Sequence, residues 1–224
     1  MPFHGRPILD AGVSIMVELI VPPSQAERLD LERRAFLDLI RMANTLSEPT
    51  GIARQLVVVA RYLSDCEAVA IRLKASPGYP YVASLGFPDQ FLSSEDDLCA
   101  RDEAGHLLRD EHRKPLLSCL CGRVLSGQVD RTQPSFTDRG SFITSSVSDL
   151  LASPAGPQVL GHLPNHSHFN GYETVGLFPI RRDQVVYGLL QCNDRRPGRF
   201  TVESIDLMEN LAVSAAHLFQ LAMA

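Results

Sequence analysis

This 224-residue chain has no hydrophobic run long enough to cross a bilayer. Its one apolar stretch near the start, Ala11 to Val21, is too short and carries Glu18. Asp10 and Glu18 also spoil that stretch as a secretory signal, and no small-residue cleavage site follows it. A cytoplasmic protein with no membrane partner is expected. Positive charge is not in excess: 21 Lys+Arg against 26 Asp+Glu leave a formal net charge of -5, so phosphate backbones are not generally attracted and nucleic acid is not an expected partner. Neither a Gly-x-Ser-x-Gly elbow, a Gly-x-x-x-x-Gly-Lys phosphate loop nor a His-Glu-x-x-His zinc helix is present, which leaves hydrolase and nucleotidase readings without support. No internal repeat or low-complexity segment is evident.

At 45% hydrophobic and 21% charged, the composition is that of an ordinary globular chain able to bury a real core. One domain over residues 24–224 is expected, preceded by an extension over 1–23 that includes a possible strand at Val13 to Val21. The five cysteines are an odd count without a secretory signal, so the thiols should be reduced and available to a metal or an oxidant. Three of them, Cys99, Cys119 and Cys121, fall in one span, centred on Ser118-Cys119-Leu120-Cys121-Gly122. In an extended segment that spacing would put both later sulfurs on one face, with Gly122 ending the segment. Grouped thiols point to metal, redox or nucleophile chemistry, although a buried cysteine is also a common small hydrophobe.

Along the chain, Ser24 and Glu27 form a capping box for a helix to about Asn44. A second helix starts near Ser47 to Pro49, with Ile52, Leu56, Val59 and Leu63 as its stripe, and ends before Asp65. Ala68 to Lys74 and Tyr79 to Phe87 read as strands around the turn Ser76-Pro77-Gly78, followed by a short helix within Phe87 to Asp97. Leu98 to Pro115 reads as a charged, solvated loop. Gln128 to Asn170 is a long polar stretch with a short strand at Ser141 to Thr144 and a short helix near Val147 to Ala152. Loops this long are often functional, and this one holds His162, His166 and His168. Thr174 to Arg181 and Val185 to Asn193 form a hairpin pattern, and Thr201 caps a last helix striped by Met208, Leu211, Ala215, Leu218 and Phe219.

The blocks Gly171-Tyr172-Glu173-Thr174-Val175-Gly176-Leu177-Phe178-Pro179-Ile180 and Gly188-Leu189-Leu190-Gln191-Cys192-Asn193-Asp194, with Phe200-Thr201, resemble the GAF domain of bacterial sensor proteins. Leu98-Cys99-Ala100-Arg101-Asp102, Cys119-Leu120-Cys121-Gly122 and Gly140-Ser141-Phe142 look like the GAF module often found with PAS domains and histidine kinases. The resemblance covers roughly residues 27–223. It implies an α/β (α+β) fold: a central antiparallel sheet with the terminal helices on one face and a loop-covered ligand pocket on the other. It also implies dimerisation through those helices, here Glu27 to Asn44 and Thr201 to Met223. No kinase histidine box, ATP-binding motif or DNA-reading helix pair is present, so a sensor acting on a separate kinase or regulator is expected.

Modules of this kind often carry another cysteine shortly before the Gly-Tyr-Glu block, where this chain reads Asn165-His166-Ser167-His168-Phe169-Asn170. Histidine can replace thiolate as a ligand, so Cys99, Cys119, Cys121, His166 and His168 are the expected metal set, for Zn or Fe. An iron–sulfur cluster would need four ligands. If the thiols respond to oxidant instead, Cys99 with Cys119 or Cys121 is the more plausible redox pair, because adjacent-but-one cysteines rarely meet disulfide geometry. The alternative function is an enzyme, since free methionine-R-sulfoxide reductase is a GAF fold working through cysteines. That family needs a nucleophilic cysteine in the loop leading into the strand at Thr174, and none lies between Cys121 and Cys192.

Overall fold

The computed structural model describes residues 48–117, 119–160 and 169–223, together with positions 30, 33, 34, 37, 38 and 41. Those six positions are helical, in the segment where the first helix is expected; the rest of that helix, the extension 1–23 and its possible strand, and His162, His166 and His168 lie outside the described residues.

Helix α1 (Pro49–Ser64) begins with proline in its first turn, where the missing N–H costs nothing, and stops at Asp65, whose left-handed backbone returns its N–H to the Arg61 carbonyl. Strand β1 (Ala68–Leu73) is buried on both faces, and β2 (Tyr81–Leu85) returns along it. Short helix α2 (Asp89–Glu95) follows, then α3 (Leu120–Ser126), strand β3 (Phe142–Thr144), and helices α4 (Val147–Ala152) and α5 (Gly156–Leu160). The hairpin β4 (Thr174–Arg182) and β5 (Val185–Asp194) leads to α6 (Val202–Ala222). At the start of α6, Thr201 Oγ1 accepts from the Ser204 amide and Ser204 Oγ accepts from the Thr201 amide, a reciprocal cap.

The strands form one antiparallel sheet in the order β2-β1-β5-β4-β3, and the side-chain period of two splits its apolar residues between two cores. On one face Val69, Ile71, Phe178, Ile180, Leu190 and Cys192 pack against Ile52, Leu56, Met208, Leu211, Ala215 and Phe219 of α1 and α6. On the other, Ala70, Val175, Leu177 and Leu189 are covered by Phe87, Phe91, Leu98, Leu120, Val124, Phe142 and Tyr172. The strands at the sheet centre approach closely: a Cβ on Gly188 would sit 2.0 Å from the Arg72 carbonyl oxygen, so glycine is required there. Among the described residues no helix is long and apolar enough to cross a membrane.

Residues 98–117 depart from the expected plain loop, and they contain a repeat. Arg101-Asp102-Glu103 and Arg109-Asp110-Glu111 each open a tight turn. Asp102 Oδ1 accepts from the Ala104 and His106 amides (3.0 and 2.8 Å), and Asp110 Oδ1 from the His112 and Lys114 amides (2.9 and 2.8 Å). Arg101 and Arg109 then donate to the carbonyls of Gly105 and Arg113, both of which have positive φ. Three amides close a ring at the turns' common base: Leu108 donates to Ala100, Leu116 to Leu108, and Ala100 to Leu116, at 2.8 to 2.9 Å. Exposed charge along the segment conceals this order in the sequence, because its regularity lies in backbone bonds and not in apolar periodicity.

Asp194, at the end of β5, is fully buried and joins both ends of α1's exit to the sheet. It accepts from the Glu67 amide (3.0 Å), the Arg196 amide (2.7 Å) and Arg196 Nη2 (2.7 Å). Burial alone would push its carboxyl up, but the bonds from Arg196 and from the Arg196 and Glu67 amides outweigh it and hold the group below the usual carboxylate range. A depressed folded-state value means the contribution is complete above the unfolded pKa of about 3.9 and is lost as pH falls through the folded value. We expect Asp194→Asn to cost about 2–3 kcal/mol at pH 7, less than for a fully buried pair because Arg196 is half exposed. Urea unfolding at pH 7 and pH 3 should show the gap between variant and parent shrinking at low pH; an unchanged gap would refute the assignment.

Candidate functional site

On the sheet face opposite α1 and α6, an arginine interrupts the apolar run of β1. Arg72 is fully buried, and an irregularity in pairing between Ile71 and Arg72 sets it opposite Tyr81. Its Nη1 donates to the carbonyls of Tyr79 (2.9 Å) and Asp96 (3.0 Å), its Nη2 donates to that of Glu95, and its guanidinium carbon lies 3.5 Å from the centre of the Tyr81 ring. Two of those carbonyls belong to the end of α2, so the side chain serves as a C-terminal cap reaching out of the sheet. None of its acceptors is a carboxylate, and Arg72 Nε has no hydrogen-bond partner among the described residues. A polar row continues across the sheet: Tyr81 Oη donates to Gln191 Oε1 (2.9 Å), and Gln191 Nε2 to Asn193 Oδ1 (3.3 Å). Over one end of this face stand Phe87, Phe91 and Tyr172, with the Phe rings stacked at 4.7 Å and Tyr172 edge-on to both.

The paired cysteines are not extended as the spacing suggested. Cys119 is the N-cap of α3, with its Sγ accepting from the Gly122 amide at 3.4 Å, and Gly122 lies inside the helix. Glycine is needed there because a Cβ would come 2.4 Å from Leu117 Cβ; the terminating glycine is Gly127, at positive φ. The two thiols meet all the same. A hydrogen bond from Cys121 is the largest influence on Cys119 and, with the Gly122 amide and the charge of Arg72, lowers its thiol to about 7 against the opposing effect of burial. Cys121, as the donor to the Cys119 thiolate and itself desolvated, is pushed well above the ordinary value, against the opposing charge of Arg72.

The remaining thiols are placed otherwise. Cys99 pairs through its backbone with Leu117, its amide donates to Asp97 Oδ1 (2.9 Å), and its Sγ packs on the Gly78 turn. Burial and then the charge of Asp97 push its thiol up. Cys66 and Cys192 lie in the core against the helices, and burial pushes Cys66 to about 12. Among the described residues no group of three or more His, Cys, Asp or Glu is arranged to hold a metal ion. Of the five expected ligands, then, Cys119 and Cys121 are close enough to shift each other's titration, Cys99 packs on the Gly78 turn, and His166 and His168 lie outside the described residues. Arg72, Tyr81 and Gln191 escaped the sequence reading; the one available signal was a charged residue inside Ala-Val-Ala-Ile-Arg-Leu.

No protein-family model matches the chain, and no curated protein does. Solved structures do. The GAF domain of a phosphoenolpyruvate-protein phosphotransferase from Acinetobacter superposes with TM-score 0.56 at 15% identity, over 90% of this chain and 96% of that one. The fold is GAF-like. A second GAF domain, from the phosphoenolpyruvate-protein phosphotransferase of Coxiella burnetii, gives TM-score 0.55 at 13% identity over 89% and 97% of the two chains. Free methionine-R-sulfoxide reductase from Neisseria meningitidis, in complex with its substrate, also gives 0.55, at 9% identity over 89% and 95%. Domains of phosphotransferases and a reductase thus share this fold, and only the site can separate functions.

The arrangement predicts selective alkylation. Iodoacetamide should modify Cys119 before Cys99, Cys66 or Cys192, with a pH–rate midpoint near 7. Cys121→Ala removes the donor, and the midpoint should move up toward the ordinary cysteine value. A midpoint unmoved by that change, followed by peptide mass spectrometry, would show that the pair is not coupled.

Proposed function

We propose that this GAF-like chain is a non-catalytic sensory or regulatory module of signal transduction, with the Cys119–Cys121 pair beside Arg72 as its responsive element. The observation that carries the reading is a pair of half-buried thiols at a helix start, each shifting the other's titration, beside a buried Arg72 guanidinium bonded to backbone carbonyls. A thiolate there is favoured by charge and by donated hydrogen bonds, which is what both an oxidant and a soft metal ion select. Toward peroxide, the Cys119 thiolate attacks one oxygen, forming a sulfenic acid as the O–O bond breaks and water leaves after proton transfer; the Cys99 thiol can then condense with it to a disulfide, releasing a second water. Toward Zn or Fe, the two sulfurs supply half of a tetrahedral set, and Cys99, His166 and His168 are the candidates for the rest. A small-molecule ligand would meet the polar row Tyr81, Gln191 and Asn193 beneath them.

The reductase reading fares less well on this chain. No cysteine lies between Cys121 and Cys192, and Cys192 is fully buried on the helix face of the sheet. Protein prepared without oxygen, analysed for metals and then treated with hydrogen peroxide and a sulfenic-acid trap, tests the proposal. Bound Zn or Fe, or trapping at Cys119 well ahead of the other thiols, supports it. No metal together with equal, slow oxidation of all five thiols overturns it, and turnover of free methionine-R-sulfoxide with dithiothreitol would replace the sensor by the enzyme.

Output is proposed to pass through a homodimer to a separate kinase or regulator. Val58 and Tyr62 on α1 and Leu221 on α6 are exposed apolar residues that a helical bundle would cover. Sedimentation at micromolar concentration should show a dimer; monomer alone would refute the bundle.

A further inference from the structure

Strand β3 pairs only with Val175–Leu177, so the edge of β4 beyond Leu177 has no strand beside it. Between that edge, α6 and the 131–141 segment lies a cleft of about 350 Å³, lined by Arg131, Arg139, Arg181, Ser141, Glu209 and Val213 among others. Its volume falls at the lower end of the range for small-molecule sites.

The charges in the cleft do not cancel. Glu209 is buried and committed: Oε1 accepts from Thr137 Oγ1 (2.5 Å) and Ser141 Oγ (2.6 Å), and Oε2 faces Arg139 Nε at 3.5 Å. Arg139 spends its other nitrogens on Asn210 Oδ1 (2.8 Å) and Asp206 Oδ1 (3.1 Å). Arg139 thus answers Glu209 and Asp206 together and has no charge left for a ligand. Arg181 donates only to a neutral acceptor, the Arg139 carbonyl (2.8 Å), and keeps its full charge. The Arg131 side chain has no hydrogen bond or ion pair among the described residues. The one remaining acid of the lining, Asp183, is 89% exposed and lies 3.9 Å from Arg182, outside the lining.

We infer that this cleft binds a small oxyanion carrying two negative charges, a phosphate monoester or a dicarboxylate, held between Arg131 and Arg181. The fork of N–H donors on each guanidinium can bond two oxygens of a phosphate or of a carboxylate at once, and Ala212 and Val213 offer apolar contact to a short carbon chain. Because Arg139 and Glu209 join the 137–141 turn to α6, an anion bridging Arg131 and Arg181 braces that helix against the sheet edge. The site uses neither Cys119 nor Cys121 and is independent of the thiol reading.

Calorimetric titration of the full chain with inorganic phosphate and, separately, with succinate, at ionic strength held constant with sodium chloride, tests this. Saturable binding of at least one probe is expected, and which one binds identifies the class. Arg131→Gln and Arg181→Gln should each weaken it by about 10-fold or more, as loss of a charge-assisted contact requires, while Arg54→Gln on exposed α1 should not. Thermal unfolding without ligand verifies that the variants fold. Binding by neither probe, equal binding by sodium chloride alone, or folded Arg131→Gln and Arg181→Gln proteins that bind as the parent does would overturn the inference.

Discussion

The contact on which the loop-covered side of this molecule depends is the insertion of Arg72 into the backbone carbonyls of Tyr79, Glu95 and Asp96. A guanidinium inside a sheet is costly to desolvate, and here the charge is met by carbonyl dipoles and the Tyr81 ring instead of a counter-ion. That choice has two consequences. It anchors the α2 end to the centre of the sheet, holding the covering segments in place. It also sets the guanidinium close enough to Cys119 for its charge to lower that thiol.

Which thiols can respond is then a matter of sheet parity and helix capping. Along β5 successive residues face opposite cores, so Cys192 goes to the helices while Gln191 and Asn193 turn to the loop-covered side. Cys66 follows Cys192 into the same core, and burial keeps both protonated. Cys119 stands where serine or threonine would stand in an ordinary cap, and the amide that a hydroxyl would accept from instead steadies a thiolate. The closed ring of Ala100, Leu108 and Leu116 delivers the chain to that cap through a short, internally bonded base.

The order of elements was legible before the structure because each carries a local mark: Pro49 and Asp65 bound α1, Ser76 to Gly78 turns β1 into β2, and Thr201 caps α6. Two runs rich in Val, Leu and aromatic residues, either side of Arg182-Asp183, mark the central hairpin for the same reason. The conformation of Cys119 to Gly122 was not legible, since a cysteine N-cap has no strong sequence signature and glycine there reads as a terminator. The paired turns of 101–114 were missed because their common signal, Arg-Asp-Glu, is also the composition of a solvated loop.

By itself, then, the sequence determined the α+β class, the hairpin and last helix, and the gathering of Cys99, Cys119 and Cys121 in one span, all of which rest on near-neighbour patterns. Only the tertiary structure decided that Cys119 caps a helix beside Cys121 while Cys99 packs on the Gly78 turn, that Arg72 lies on the loop-covered side of the sheet and not against the helices, and that Arg131 and Arg181 share a cleft with a committed Glu209. Those outcomes are set by strand register and by which polar groups can be satisfied once water is excluded.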